Sequence, residues 1–84
     1  MLSIIFVDDE TSVLQGLRNR LRKQRKVWNM RFASSGAECL EMMEAERADV
    51  VVSDMRMPKM DGAELLTRIK SDYGATLRIV LSGY

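Results

Sequence analysis

Histidine is absent from this chain, and several other residue types are scarce. Without histidine, catalysis by an imidazole base and metal binding through imidazole nitrogens are both excluded. The single cysteine, Cys39, has no second thiol in the chain to pair with, so we expect a reducing compartment such as the cytoplasm. No apolar run approaches the roughly 20 residues of a membrane-spanning helix, and we expect no signal peptide. A net charge of +1 predicts strong attraction neither to nucleic acid nor to membranes.

The chain does have the balanced composition of a globular protein, with 46% hydrophobic and 30% charged residues over 84 positions. A chain of this length is expected to form one small domain, residues 1–84. Short apolar runs alternate along it with stretches of helical periodicity. The apolar runs predict four strands, near residues 2–7, 30–33, 50–53 and 77–81.

Three helices are predicted between these strands from the spacing of apolar residues. The first is expected from about residue 10 to residue 28, with Ser12 and Gln15 as a capping box. The second should begin after Ser35 and the third after Asp61, because a glutamate follows three residues later in each case. Their buried stripes should hold Val13, Leu14, Leu17, Leu21 and Trp28 in the first, Ala37, Leu40 and Met43 in the second, and Ala63, Leu66, Ile69 and Tyr73 in the third.

This alternation predicts an α/β fold with a doubly wound parallel sheet, because parallel strands need crossover helices between them. The strand at 30–33 alternates in polarity and suits an edge, whereas 4–7, 50–52 and 79–81 are apolar throughout and suit interior positions. The strand order 2-1-3-4, which begins the flavodoxin-like arrangement, satisfies this pattern. In such sheets ligands bind beyond the carboxyl ends of the strands, at the switch point between strands 1 and 3.

Acidic residues stand at both strand ends that flank this switch point. The first strand ends in Asp8-Asp9-Glu10 and the third in Asp54. Like charges about 4–6 Å apart repel by roughly 1–4 kcal/mol per pair, so such a cluster needs a cation or raised pKa values. Carboxylate oxygens suit Mg²⁺ or Mn²⁺, and a carboxylate beside such an ion can attack phosphorus to form an aspartyl phosphate. A lone aspartate at a strand end is more often a turn former. The prediction of a metal site therefore depends on the convergence of the two acidic strand ends.

The motifs around these carboxylates resemble the receiver domain of two-component response regulators. The resemblance implies a flavodoxin-like fold and covers the chain from its first strand to its end. Three segments carry it: FVDDE at residues 6–10, VSDMRMPKMDG at 52–62 and VLSG at 80–83.

The resemblance also implies a role for each matching residue. It implies that Asp54 is the phosphoacceptor for a sensor histidine kinase and that Asp9 is a direct Mg²⁺ ligand. Asp8 would act on the metal largely through water, and the backbone carbonyl of Arg56 would complete the protein ligands. Ser82 takes the place of the hydroxyl that binds the phosphoryl group.

Receiver domains continue beyond the fourth strand with a helix, a fifth strand that carries a phosphate-binding lysine, and a last helix. The 84 residues do not include these elements, so the resemblance implies a receiver that ends after strand 4. We therefore expect uncovered apolar surface around Val51 and Val80, and self-association through the edge of strand 4. The sequence does not identify the kinase or an output domain.

Two other functions stay open. The chain would be a structural fragment without switching competence if the missing elements are indispensable. A metal-dependent phosphohydrolase with an aspartyl nucleophile is disfavoured, because Glu10 stands where the D-x-D pattern of haloacid-dehalogenase-like phosphatases needs its second aspartate.

A basic stretch in the first predicted helix is a separate feature. Residues 18–26 contain six basic residues and no acidic one. The simplest interpretation is a solvated helix face with extended side-chain stems. Docking of a partner is the alternative, and binding of a nucleic-acid backbone is the least favoured because the overall charge excess is small.

Overall fold

The structure is a computed structural model and describes residues 1–81. Its four parallel strands form one sheet in the order β2-β1-β3-β4, where β1 is Leu2–Val7, β2 is Trp28–Ala33, β3 is Val50–Asp54 and β4 is Leu77–Leu81. Three helices connect them: α1 (Thr11–Arg20), α2 (Gly36–Ala45) and α3 (Gly62–Asp72). A 3-10 helix (Arg22–Lys26) follows α1. The predicted fold class and strand order are confirmed.

The strand register brings the two acidic strand ends to the same level of the sheet. In the pairing of β1 with β3, Val7 lies opposite Ser53. Asp8 follows Val7 directly, and Asp54 follows Ser53. The two aspartates are therefore adjacent at the carboxyl end of the sheet.

The sheet separates two apolar layers, because successive strand residues point to opposite faces. On one face, Ile5, Val7 and Val51 pack with residues of α2 and α3 such as Met43 and Leu65, all at most 2% exposed. On the other face, residues of β1 and β3 pack with Leu14 of α1 and with partly buried residues of α1 and β2: Ile4, Phe6, Val50, Val52, Leu17, Leu21, Trp28, Met30 and Phe32.

The first helix is shorter than predicted, and its expected cap is wrong. It ends at Arg20, and Trp28 is the first residue of β2 rather than a helical residue. Residues 22–26 are all polar, so no apolar side chain there stabilises a further α-helical turn against the sheet. The N-cap is Glu10, without a side-chain cap, so Ser12 and Gln15 do not form the predicted box. Val13 is 37% exposed and lies outside the buried stripe.

The other two helix starts are confirmed, but their buried faces are rotated from the prediction. Ser35 Oγ accepts from the Glu38 amide at 3.0 Å, and Asp61 Oδ1 accepts from the Glu64 amide at 2.8 Å. Ala37 and Ala63 are exposed, contrary to expectation. Met43 and Ile69 are buried as predicted. Cys39 in α2 and Leu65 in α3 take the other sheet-facing positions, because they bury more apolar area than alanine. Leu40, Leu66 and Tyr73 pack at the margin of this core.

The expected exposed patch is displaced along the sheet. Val51 is fully buried by α2 and α3, so the prediction of a bare surface around it is wrong. A cluster of exposed apolar residues lies on β4, which is the terminal strand of the described sheet: Leu77, Ile79, Val80 and Leu81, at 38–59% exposure. Within residues 1–81 no helix has the length and apolar character needed to cross a membrane.

Candidate functional site

Three aspartates converge at the carboxyl ends of β1 and β3. Carboxylate oxygens of Asp8, Asp9 and Asp54 all lie within 4.8 Å of one another. The sheet order is the reason, since β1 and β3 are neighbours at the point where the chain connectivity reverses direction. This is the cluster that the spacing of acidic residues predicted.

Asp8 is the buried member of the cluster, with 6% of its surface exposed. Its Oδ1 accepts a hydrogen bond from the Glu10 amide at 2.9 Å, which holds the turn between β1 and α1. Burial raises the pKa of the Asp8 carboxyl, and the neighbouring charges of Asp54 and Asp9 raise it further, while the Glu10 hydrogen bond partly opposes them. A nearby cation would reverse the effect of burial and repulsion by favouring the carboxylate form.

Asp9 and Asp54 are the more accessible members. Asp9 is exposed and lines an open cleft with Arg56 and Asp61. Asp54 is half-buried, and its Oδ1 accepts from the Arg56 amide at 3.4 Å. The Ser53 hydroxyl donates to the Asp54 carbonyl oxygen at 2.9 Å, which ties down the end of β3.

The loop after Asp54 is held close to the strand end by a glycine. The Gly62 amide donates to the Met55 carbonyl at 2.9 Å. A Cβ at Gly62 would collide with the Asp54 carbonyl oxygen and lie 2.8 Å from Met55 Cα, so only glycine fits there. The start of α3 is thereby pinned against the backbone that presents the Asp54 side chain.

The same loop contains a residue in an unusual backbone conformation. Lys59 has a φ of 67°, in the left-handed region that non-glycine residues occupy at a cost. Pro58 precedes it, and the Pro58 carbonyl accepts from the Met60 amide at 2.7 Å. The residue pattern predicted neither the left-handed conformation of Lys59 nor the close contact at Gly62. The Asp-Gly pair was the available signal for the second.

The remaining predicted site residues have different outcomes. Arg56 lines the cleft beside Asp9, and the role of its backbone carbonyl as a metal ligand stays a prediction. Ser82 lies outside the described residues. Cys39, which was not predicted as a site residue, is fully buried, and burial raises the pKa of its thiol to about 12.

The donor set fits a hard divalent cation. Three carboxylates offer oxygen ligands at short mutual distances, and one of them is buried at an energetic cost that a cation would offset. Mg²⁺ and Mn²⁺ match such all-oxygen sites, whereas softer metals prefer sulfur or imidazole ligands. The residues present are therefore compatible with the predicted metal.

Fold and site together define a class: a doubly wound parallel α/β domain with an acidic cluster at its topological switch point. The family model described as "Response regulator receiver domain" matches residues 4–84 of the chain. The chain belongs to the response-regulator receiver domain family.

Individual relatives agree with this assignment. The chain is 37% identical over 84 residues to the sensor kinase CckA of Brucella abortus, covering 98% of this chain and 9% of that protein. It is 34% identical over 70 residues to the response regulator MprA of Mycobacterium leprae, covering 83% of this chain and 30% of that protein. The chain thus spans well under half the length of these curated relatives.

Solved structures show the same fold at comparable identity. A receiver domain of an HD domain-containing protein from Pseudomonas fluorescens Pf-5 is 32% identical with a TM-score of 0.92, over 99% of this chain and 65% of that one. A response regulator receiver domain protein from Clostridium thermocellum is 31% identical with a TM-score of 0.88, over 100% of this chain and 67% of that one.

Proposed function

We propose that residues 1–84 form a phosphoacceptor receiver module in which Asp54 takes a phosphoryl group from a sensor histidine kinase. Membership in the receiver family supports this proposal. The observation that carries it is the approach of the Asp8, Asp9 and Asp54 carboxylates to within 4.8 Å at the switch point of the sheet.

Asp54 is the candidate nucleophile because it ends β3 and is half-buried, while its backbone is fixed by Ser53 and Gly62. A carboxylate oxygen of Asp54 would form a bond to phosphorus as the phosphorus–nitrogen bond of a phosphohistidine breaks. The imidazole leaves with the bonding electron pair and is protonated, and the product on Asp54 is an acyl phosphate. A fixed backbone keeps the attacking oxygen in place and lowers the entropic part of the barrier.

Mg²⁺, or Mn²⁺ in its place, would be held by Asp8, Asp9, Asp54 and the backbone carbonyl of Arg56. The bound ion supplies positive charge that offsets the repulsion between the carboxylates and the incoming phosphoryl group. Asp9 is exposed and suits direct ligation, whereas Asp8 is buried and already accepts from the Glu10 amide, which suits contact through water. Ser82 is the proposed hydroxyl ligand of the phosphoryl group.

Receiver domains are signalling modules, and we propose the same role for this chain without turnover of an external substrate. Its direct partner would be the kinase, in the cytoplasm, rather than nucleic acid or a membrane. A second copy of the chain is a further proposed partner, through the exposed edge of β4 with Ile79 and Leu81. The output domain and the response it controls are not specified by these residues.

Labelling with a small acyl-phosphate donor tests the proposal. Acetyl phosphate with Mg²⁺ should modify Asp54, and borohydride reduction followed by peptide mass spectrometry should locate the modified residue. Asp54→Asn should abolish the label, while Asp72→Asn, an exposed aspartate at the end of α3, should leave it unchanged. Equal labelling of Asp54→Asn, or labelling that is independent of Mg²⁺, would contradict the assignment.

A further inference from the structure

The outer edge of β2 carries a basic cleft that the proposed function does not use. β2 is the terminal strand on this side of the sheet, so one edge of its backbone is unpaired within residues 1–81. The cleft beside it has a volume of about 600 Å³. Arg18, Arg22 and Arg25 line it from α1 and the 3-10 helix, and residues 30–32 line it from β2. The aspartate cluster lies between β1 and β3 instead, one strand away.

The three arginines form a row that runs along the strand. All three line the same cleft and therefore lie on one side of the segment formed by α1 and the 3-10 helix. Arg18 reaches the carboxyl end of β2, with its guanidinium carbon 4.6 Å from the centre of the Phe32 ring. Arg25 lies three residues before the start of β2. The row covers about 12 Å, from the rise of an α-helix up to Arg22 and of a 3-10 helix beyond it, beside a strand edge of about 13 Å from Trp28 to Phe32.

The charges in this row are not neutralised by the described part of the chain. The ion pair found within residues 1–81 joins Arg68 to Glu64 on α3, and none involves the three cleft arginines. Arg25 Nε donates only to the Arg22 carbonyl, at 3.3 Å. The row thus concentrates positive charge, which favours the binding of negatively charged groups from another molecule.

Arg31 is a further arginine in the same cleft. Its terminal nitrogens donate to the carbonyls of Met42 and Glu46, at 3.2 and 2.8 Å. Its Nε is buried and has no hydrogen-bond partner in the described structure. The hydrogen bonds to Met42 and Glu46 fix the Arg31 side chain, which lines the cleft on the side of α2.

We propose that this cleft binds an extended acidic segment of a partner protein, which adds to the free edge of β2 as a further strand. An extended strand places alternate side chains about 6.6 Å apart, so three alternating carboxylates span about 13 Å, which matches the arginine row. Backbone hydrogen bonds to the strand edge would supply affinity, and the arginines would select acidic side chains and set the register. A compact anion would leave the strand edge unused and could contact only part of the row.

A synthetic peptide tests this proposal directly. Thr-Glu-Val-Glu-Thr-Glu-Val should bind the 84-residue chain, shift the amide resonances of residues 30–32 and slow hydrogen exchange along the outer edge of β2. The same peptide with lysine in place of each glutamate should not bind. Arg22→Gln and Arg25→Gln should each weaken binding by about two- to fivefold. Lys23→Gln and Lys26→Gln remove the same charge from exposed neighbours outside the cleft and should change it less than twofold.

Three results would overturn the inference. Equal weakening by the arginine and lysine substitutions would indicate a diffuse charge effect. Binding without new exchange protection in β2 would exclude strand addition. Tighter binding of sodium triphosphate than of the peptide, lost in Arg22→Gln, would identify a small-anion site instead. Circular dichroism of each variant controls for folding, and the comparison of the glutamate and lysine peptides on the unmodified chain decides the question without any variant.

Discussion

Removing one charge from the aspartate cluster should stabilise the metal-free fold. Asp8→Asn eliminates two of the three repulsive carboxylate pairs, while its amide oxygen can still accept from the Glu10 amide as Asp8 Oδ1 does at 2.9 Å. At a separation of 4.8 Å, one such pair repels by about 0.9 kcal/mol in bulk water and about 3.5 kcal/mol at an effective dielectric constant near 20. We expect the free energy of unfolding to rise by about 1–3 kcal/mol at pH 7 with EDTA present.

The pH dependence of this effect has a definite sign. Burial raises the pKa of Asp8 above its ordinary value of 3.8, so the folded state holds this proton more tightly than the unfolded state. Stability of the unmodified chain therefore falls as the pH rises from 3.8 through the raised pKa. Asp8→Asn does not lose stability in this way, because its side chain does not ionise. The advantage of the variant should accordingly vanish below pH 3.8, where Asp8 is neutral in both states.

Magnesium should reverse the order of stability. A ligand that binds only the folded state adds about 4.1 kcal/mol at 1,000 times its Kd, which exceeds the expected advantage of the variant. The unmodified chain should gain this amount at saturating Mg²⁺, and Asp8→Asn should gain much less because one carboxylate of the site is gone. The two curves of unfolding free energy against Mg²⁺ concentration should cross.

Urea unfolding followed by circular dichroism measures both effects. Glu41→Gln is the matched control, because it removes one exposed negative charge from α2, far from the cluster. Glu41→Gln should change the urea concentration at the midpoint of unfolding only slightly, with or without Mg²⁺. If Asp8→Asn is no more stable than the unmodified chain at pH 7 in EDTA, burial and repulsion of the Asp8 charge do not lower stability at this site and the electrostatic reasoning fails.

Four further predictions concern the site and the sheet edge. Asp9→Ala should abolish the saturable response of the amide resonances around Asp54 to Mg²⁺, and an unchanged titration would argue against Asp9 as a ligand. Gly62→Ala should lower the unfolding free energy by about 1–3 kcal/mol, because its Cβ collides with the Asp54 carbonyl; an unaltered urea midpoint would refute this contact. Lys59→Gly should raise the melting temperature, since glycine occupies a φ of 67° without steric cost, whereas a lower value would show that the backbone there is unstrained. Ile79→Lys should reduce the mass measured by light scattering if β4 edges associate, and a monomeric unmodified chain at high micromolar concentration would disprove self-association.

The sheet and its switch point were predictable from residue pattern alone. Continuous apolar runs in β1 and β3 require burial on both faces, which places these strands in the interior and next to each other. Because Asp8 and Asp54 follow those runs directly, their proximity comes from the same pattern. The end of α1 was not predictable in this way. Trp28 lies seven residues after Leu21 and therefore matches the helical stripe by spacing, although the polar stretch 22–26 between them gives an α-helix nothing to pack against the sheet.

Features that depend on the approach of distant backbone segments left no comparable periodic signal. The contact of Gly62 with the Asp54 carbonyl depends on how α3 is set against the end of β3, and the left-handed Lys59 follows from the path that the loop must then take. The helix faces illustrate the same limit, because Ala63 fits the spacing of a stripe with Leu66 and Ile69, whereas the sheet contacts the adjacent arc of Leu65 and Ile69. Periodicity gives the width of a buried stripe more reliably than its centre.

The difference between two consecutive aspartates shows what the structure adds to the motif. Asp8, the residue directly after β1, is buried with 6% of its surface exposed, whereas Asp9 is exposed. Burial makes the charge on Asp8 costly unless a cation is near, and exposure leaves Asp9 free to meet an ion that arrives from solvent. A sequence with two adjacent carboxylates cannot distinguish these environments. Because the stability gained from Mg²⁺ is set by the affinity of the folded state for the ion, Asp8→Asn should lower the stability gain and the affinity measured from amide shifts together.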